Sequence, residues 1–265
     1  MKIDYQEPLD DLQTRIDIHN QYGGKDIDKW MLEILEPEKG VKILDVGCGA
    51  GKLCFSFYDY LNGECEITGG DLSEELLARA RQENQHKNAS IEFMHLDFNQ
   101  PFDLPDNAFD LVSCSFAIYY AADIPFTIGE MHRVLKPGGR LFTTGPMPEN
   151  KQLFYDIIHT ATQQPIPPMP GSSRYNSQIL FAIKDLFSNV EVEIFENPLT
   201  FTSADPFLSY TRASLSEDRR LWKDLFSKMD FETVMQKIAL ETQKRIDKDG
   251  ELVMIKVVGG FIATR

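Results

Sequence analysis

Between positions 41 and 145, short apolar runs alternate with stretches of helical spacing. The runs at 41–46, 66–70, 91–95, 109–115 and 139–145 are rich in Ile, Val, Leu and Phe and predict strands. The stretches at about 51–61, 73–86 and 124–135 predict helices. In the second of these, Leu72, Leu76, Leu77 and Ala80 form one apolar stripe. Ser73 is placed to cap that helix, and Glu74 and Glu75 suit its positive end. Asp106-Asn107 is turn chemistry, and Lys136-Pro137-Gly138-Gly139 stops a helix and starts a strand. Strands that alternate with helices imply a parallel sheet with helices on both faces.

The flanks are patterned differently. Upstream, Leu9, Leu12, Ile16 and Ile18-His19 suggest a short amphipathic helix that Gly23-Gly24 breaks. Asp26 is placed to cap a second helix, with Ile27, Trp30, Met31 and Ile34 on one face. Downstream, 151–162 reads as a helix, and 163–173 holds four prolines and a glycine and reads as a loop. A short helix at 178–187, a strand at 190–195, and helices across 204–247 follow, with Asp230 as a cap of the last. Asp249-Gly250 is turn chemistry before a final strand at 252–263.

The candidate chemistry gathers at Asp45-Val46-Gly47-Cys48-Gly49-Ala50-Gly51, where a strand breaks into alternating glycines. Glycine is required where the chain turns sharply or a ligand meets the backbone. A second strand ends in Asp71, and a glycine loop followed by a carboxylate at that distance suits a nucleoside with ribose hydroxyls. The spacing does not fit the dinucleotide pattern G-x-G-x-x-G. Nor does it fit a phosphate loop, because Leu53 follows Lys52 and Val46 stands where the first glycine belongs.

Composition narrows the class. The 265 residues carry 27 basic and 41 acidic side chains, a net charge of −14. That sign argues against a nucleic-acid partner, which needs clustered Lys and Arg. Arg219-Arg220 is the only adjacent arginine pair and reads as a solvated helix face. No apolar run reaches membrane-spanning length and no signal-peptide pattern opens the chain, so a cytoplasmic protein without a membrane partner is expected. Cys48, Cys54, Cys65 and Cys114 show no C-x-x-C pairing; reduced, buried thiols and no metal site are expected.

The glycine run, with the stretches that follow it, resembles the class I S-adenosylmethionine-dependent methyltransferases. The likeness continues through Gly70-Asp71-Leu72-Ser73, His95-Leu96-Asp97-Phe98, the run from Leu104 to Val112, and the run from Glu130 to Leu141. The resemblance implies an α/β fold: a doubly wound, mostly parallel seven-stranded sheet of Rossmann-like type. It also implies N-terminal helices that close the site, an antiparallel edge made by strands six and seven, and a helical lid inserted before the last strand. Residues 1–265 are expected to form one domain. Its parts are cap helices at 1–40, a cofactor-binding core at 41–145, a substrate-binding region at 146–250 and a last strand at 251–265.

By that resemblance S-adenosylmethionine is the cofactor. Gly47 and Gly49 would approach its methionine part, with Asp45 beneath them. Asp71 would accept from both ribose hydroxyls, its two oxygens matching a vicinal diol. Leu72 would contact the cofactor, Asp97 and Phe98 would meet its adenine, and the Cys114 carbonyl its ammonium. Tyr119 and Tyr120 stand where the family often has a polar pair facing the substrate, and are the catalytic candidates; a phenol orients an acceptor or, if its pKa falls, takes a proton. Glu130 and Arg133 are expected to be structural. Arg174, Tyr175, Tyr210 and Arg212 are candidate substrate-binding residues, the arginines as inward partners for a carboxylate in an acidic chain. The expected reaction is methyl transfer to an O, N or C nucleophile of a small molecule. A non-catalytic, cofactor-binding relative remains the alternative. The oligomeric state is open.

Overall fold

A computed structural model describes residues 9–217 and 221–265; the Arg219-Arg220 pair lies outside them. Two helices open the chain, α1 (Leu9–Tyr22) and α2 (Ile27–Leu35), followed by β1 (Lys42–Val46), α3 (Lys52–Tyr60), β2 (Glu66–Asp71), α4 (Glu74–His86), β3 (Glu92–His95) and β4 (Phe109–Ser115). Then come α5 (Ile124–Val134), β5 (Leu135–Pro146), α6 (Gln152–Thr162), α7 (Pro170–Arg174) and α8 (Leu180–Leu186). β6 (Ser188–Phe201), α9 (Ala204–Glu217), α10 (Lys223–Phe226), α11 (Phe231–Asp249) and β7 (Leu252–Thr264) complete it.

The expected caps form. Asp26 accepts from the Asp28 and Lys29 amides, Ser73 from Leu76, and Asp230 from Thr233. Each carboxylate or hydroxyl satisfies a helix-start N–H that has no partner within its own helix.

The seven strands form one sheet in the order β3-β2-β1-β4-β5-β7-β6. β1 to β5 run parallel, and β7 is antiparallel to both β5 and β6. β6 and β7 thus form the expected antiparallel edge, with β7 alone reversed and β6, outermost, back in the direction of the parallel strands. Apolar side chains fill both faces. One face holds Leu44, Val112, Ile128 and Phe261, and the other Ile43, Phe57, Leu77 and Leu111. A third apolar cluster joins α1, α6, α9 and α11 to the outer halves of β6 and β7 through Phe154, Phe207, Tyr210, Trp222 and Ile238.

Three elements differ from the pattern-based expectation. β5 begins at Leu135, because Leu135 pairs with Phe109 and Arg140 with Leu111, so the intervening Lys136-Pro137-Gly138-Gly139 bulges from the ladder. β6 extends to Phe201 through Pro198; it is an edge strand, where a missing N–H breaks no ladder on its open side. The expected loop at 163–173 ends early, because Pro170 starts α7, and a π-turn, Tyr175–Ile179, carries the helix into α8. Proline is well suited to a first helical turn.

Candidate active site

The strand order reverses between β1 and β4. At such a switch point the connections leave in opposite directions and open a crevice at the carboxyl ends of the strands. The glycine loop follows β1 there, and a 3₁₀ turn, Ile118–Tyr120, follows β4.

Gly47, Gly49 and Gly51 hold φ at 72°, 56° and 82°, in the left-handed region that side chains disfavour. The Gly47 and Cys48 amides both donate to the Gly70 carbonyl, at 2.7 and 3.1 Å, tying the loop to the end of β2. A Cβ on Gly47 would lie 2.6 Å from the Ala117 Cβ, and one on Gly51 2.9 Å from the Phe93 ring. Gly49 is different: its Cβ would meet nothing nearer than Leu76 Cδ1 at 4.0 Å. Two glycines let the loop fold against its neighbours, and the middle one leaves its backbone open to the crevice.

The Asp71 carboxylate closes this loop. Oδ2 accepts from the Gly49 amide and Oδ1 from the Ser73 amide, each at 2.8 Å. Each oxygen keeps a further acceptor site. Leu72, next along, is 55% exposed, an apolar side chain held at the rim. Asp97 turns its own loop, Oδ1 accepting from the amide and side chain of Asn99, both at 2.9 Å. Its Oδ2 has no protein partner among the described residues. The Phe98 ring lies 3.8 Å from where a Gly47 Cβ would be, and its carbonyl accepts from Thr127 Oγ1.

Asp45 is buried beneath the loop. It accepts from Ser113 Oγ at 2.6 Å and from Cys54 Sγ at 3.5 Å. Burial raises its pKa to about 6, against the lowering by those two donors, and the charge of Asp71 adds to the rise. The Cys114 thiol is buried at the end of β4, and burial pushes its pKa well up, so it is an inert core thiol. Cys48 and Cys65 are half-buried rather than buried, and all four thiols are free.

The Tyr119 and Tyr120 rings pack against each other, centroids 4.7 Å apart and planes 49° apart. Tyr119 is buried and Tyr120 half-buried. Arg174 does not present a free guanidinium. It donates to the Tyr119 carbonyl at 2.5 Å and the Ala121 carbonyl at 2.8 Å, clamping α7 to the turn after β4. Tyr175 lies wholly inside, stacked on Phe261 at 4.3 Å, its hydroxyl donating to the Thr143 carbonyl at 2.7 Å. Tyr210 is buried beside His19, their centroids 5.4 Å apart. Arg212 faces outward as a bidentate partner of Glu232, at 2.8 and 3.1 Å, and is not the inward cation expected of it. Glu130 and Arg133 brace the 102–106 segment, as expected: Arg133 binds Glu130 and the Phe102 and Leu104 carbonyls.

Three lysines with no sequence signal come near one another beyond the end of β4. Lys256 Nζ stands 5.4 Å over the Phe116 ring, at the end of β4. Lys151 Nζ stands 5.5 Å over the Tyr210 ring, and Lys52 pairs with Asp28 at 2.8 Å. They come from separate segments that only the fold unites. The polar groups at the switch point thus comprise an open backbone and two carboxylates with spare acceptor sites.

The methyltransferase-domain family matches residues 37–191. Demethylmenaquinone methyltransferase of Staphylococcus epidermidis is 35% identical over 132 residues, covering 48% of this chain and 53% of that protein. The chain thus spans about half the length of the curated relatives it matches. The YcgJ protein of Bacillus subtilis has a similar fold, with a TM-score of 0.59 at 16% identity over 90% of this chain and 97% of that one. So has phosphoethanolamine N-methyltransferase 2 of Haemonchus contortus, solved with S-adenosyl-L-methionine, with a TM-score of 0.55 at 19% identity over 96% of this chain and 56% of that one. Matched across more than half its length, and carrying the sheet order and glycine loop described above, the chain belongs to the class I S-adenosylmethionine-dependent methyltransferases.

Proposed function

We propose that this protein transfers the methyl group of S-adenosylmethionine to an oxygen, nitrogen or carbon nucleophile of a small molecule. The observation that carries this reading is the Asp71 carboxylate, which holds the open Gly49 backbone while keeping an acceptor site on each oxygen. The residues present fit the cofactor. The open space at Gly49 admits its methionine part, Asp71 suits the ribose diol, and the free Asp97 Oδ2 suits the adenine amino group, with Leu72 and Phe98 offering apolar surface to the ring.

The bound cofactor supplies a methyl group already activated by the sulfonium charge. What remains for the protein is positioning, exclusion of water and removal of a proton where the acceptor carries one. Gly47 and the end of β4 meet through Ala117, which sets the floor of the crevice. Asp45, held by Ser113 and Cys54, keeps that floor rigid. Tyr120, half-buried in the turn after β4, orients the acceptor with its phenol, and Arg174 positions that turn through the Tyr119 and Ala121 carbonyls. Tyr210 forms part of the opposite wall with His19.

Calorimetric titration with S-adenosylhomocysteine tests the cofactor assignment; folded protein that does not bind it overturns the proposal. Transfer of labelled methyl from S-adenosylmethionine into a metabolite extract tests the reaction. Binding without transfer to any small molecule would make the protein a non-catalytic member of its family.

A further inference from the structure

The acidic chain turns a group of positive charges inward. β7 runs past the end of β5, since Val258 pairs with Pro146, the last residue of β5. Lys256 lies two residues beyond that point, paired with Asn197 of β6. The Asn197 side chain is tied to the backbone of Lys25 at 3.1 and 3.2 Å, so the strand is anchored on both sides. From there Lys256 reaches back over the end of β4, 5.4 Å above the Phe116 ring. Phe116 itself holds φ at 55°, a conformation that costs a non-glycine residue energy and that functional sites often retain.

Lys151 is bound into the same corner by its amide, which donates to the Ile255 carbonyl at 3.0 Å. Its ammonium sits over the Tyr210 and Phe154 rings, at 5.5 and 5.4 Å, and His19 meets the Tyr210 ring edge-on. Burial, together with the charges of Lys52, Lys151 and Arg15 and against the opposing pull of Asp28, lowers the pKa of Lys256 to about 8. Burial likewise lowers that of His19 to about 2, with Lys256, Lys151 and Arg15 adding to the effect. His19 is therefore a neutral imidazole, and its buried Nδ1 has no hydrogen-bond partner. The one acid that registers at Lys256, Asp28, is already held by Lys52 at 2.8 Å. Among the described residues, no carboxylate lies within ion-pair distance of Lys256. A largely buried ammonium with no carboxylate beside it is a cost to the fold that an anion would relieve.

We propose that the methyl acceptor is an anion, its carboxylate or phosphate received by Lys256 in the corner formed by Phe116, Lys151, Tyr210 and His19. The inference rests on the methyltransferase reading and names the acceptor class for it. The family match covers residues 37–191, so Phe116 and Lys151 fall within it while His19, Tyr210 and Lys256 lie outside. The same chemistry has a second source, the methionine carboxylate of the cofactor, and the experiment separates the two.

Protein saturated with S-adenosylhomocysteine is titrated with inorganic phosphate and, separately, with acetate, at constant ionic strength. The His19 ring proton resonances, assigned by comparison with His19→Gln, report binding. An anion in the corner should shift them at neutral pH. Lys256→Gln should weaken the anion at least about tenfold, while Lys256→Arg keeps affinity to within roughly threefold and S-adenosylhomocysteine affinity changes no more than that. Retained S-adenosylhomocysteine binding shows that a variant is folded. Preference for phosphate or acetate distinguishes a phosphorylated acceptor from a carboxylated one. The proposal is overturned if cofactor-saturated protein shows no anion response. It is also overturned if Lys256→Gln loses cofactor affinity about tenfold and anions act only on the free protein, because the lysine would then serve the cofactor carboxylate. If the wild type does not bind S-adenosylhomocysteine, the methyltransferase reading fails, and the same titration on free protein decides the anion site alone.

Discussion

Gly47 has neither the backbone conformation nor the space for a side chain, with φ at 72° and the Ala117 Cβ in the way. Gly47→Ala should destabilise the fold by roughly 1–3 kcal/mol in urea unfolding and abolish S-adenosylhomocysteine binding. A variant that binds normally would show that the loop does not contact the cofactor. Asp71→Asn keeps the shape but offers one acceptor oxygen in place of two. It should weaken S-adenosylhomocysteine by at least about tenfold in calorimetry. Asp45 makes a prediction about pH. Its folded pKa of about 6 lies above the ordinary 3.8, so the stability it lends is present below pH 3.8 and is lost as pH rises through about 6. Asp45→Asn should remove that loss, on the order of 2–3 kcal/mol, from the difference between the two stability profiles. His19 has the opposite sign, its contribution lost as pH falls below 6.5. It is common to both proteins and cancels in the difference, so parallel profiles would refute the assignment to Asp45. At this scale the glycines, Asp71 and Asp97 were legible, because each answers to a local demand of turn geometry or ligand chemistry. Lys256 was not, because a lysine in a strand has no local signature.

The elements show where local pattern suffices and where it stops. The helix caps at Asp26, Ser73 and Asp230 depend on neighbours within three residues and formed as read. β6 is longer than its pattern, because Val192 and Ile194 are exposed at 42% and 45% while Phe195, Leu199 and Phe201 are buried, and partner β7 rather than alternation sets its length. α7 begins at a proline in a stretch whose composition reads as loop. Its Arg174 ties that helix to the turn after β4, so Arg174→Ala should lower stability by roughly 1–2 kcal/mol. It should also depress turnover more than S-adenosylhomocysteine affinity, since the carbonyls it binds belong to the turn carrying Tyr119 and Tyr120. Equal losses in both would mean that the clamp supports the whole crevice rather than its acceptor side.

Across the whole molecule, two apolar clusters share the sheet, and a third joins α1, α6, α9 and α11 to the outer arm of β6 and β7. A cluster with its own core opens as a unit when its link to the rest is small. Hydrogen exchange should therefore show α9 and α11 opening together at lower denaturant than β1 and β4, and S-adenosylhomocysteine should slow exchange in α2 and the glycine loop more than in α11. Uniform exchange across all three clusters would contradict this. The sequence by itself determined the alternation of strands and helices, the breaks between them, and the glycine loop with its acids. Those features depend on periodicity, turn geometry and motifs spanning about thirty residues, which are short-range quantities. Only the tertiary structure decided that β7 alone reverses, that Arg174 clamps a turn, that Arg212 faces outward, and that Lys151, Lys256 and His19 meet at one corner. Those outcomes depend on contacts between segments as far apart as His19 and Lys256, and such contacts exist only once the sheet and its arm have brought the segments together.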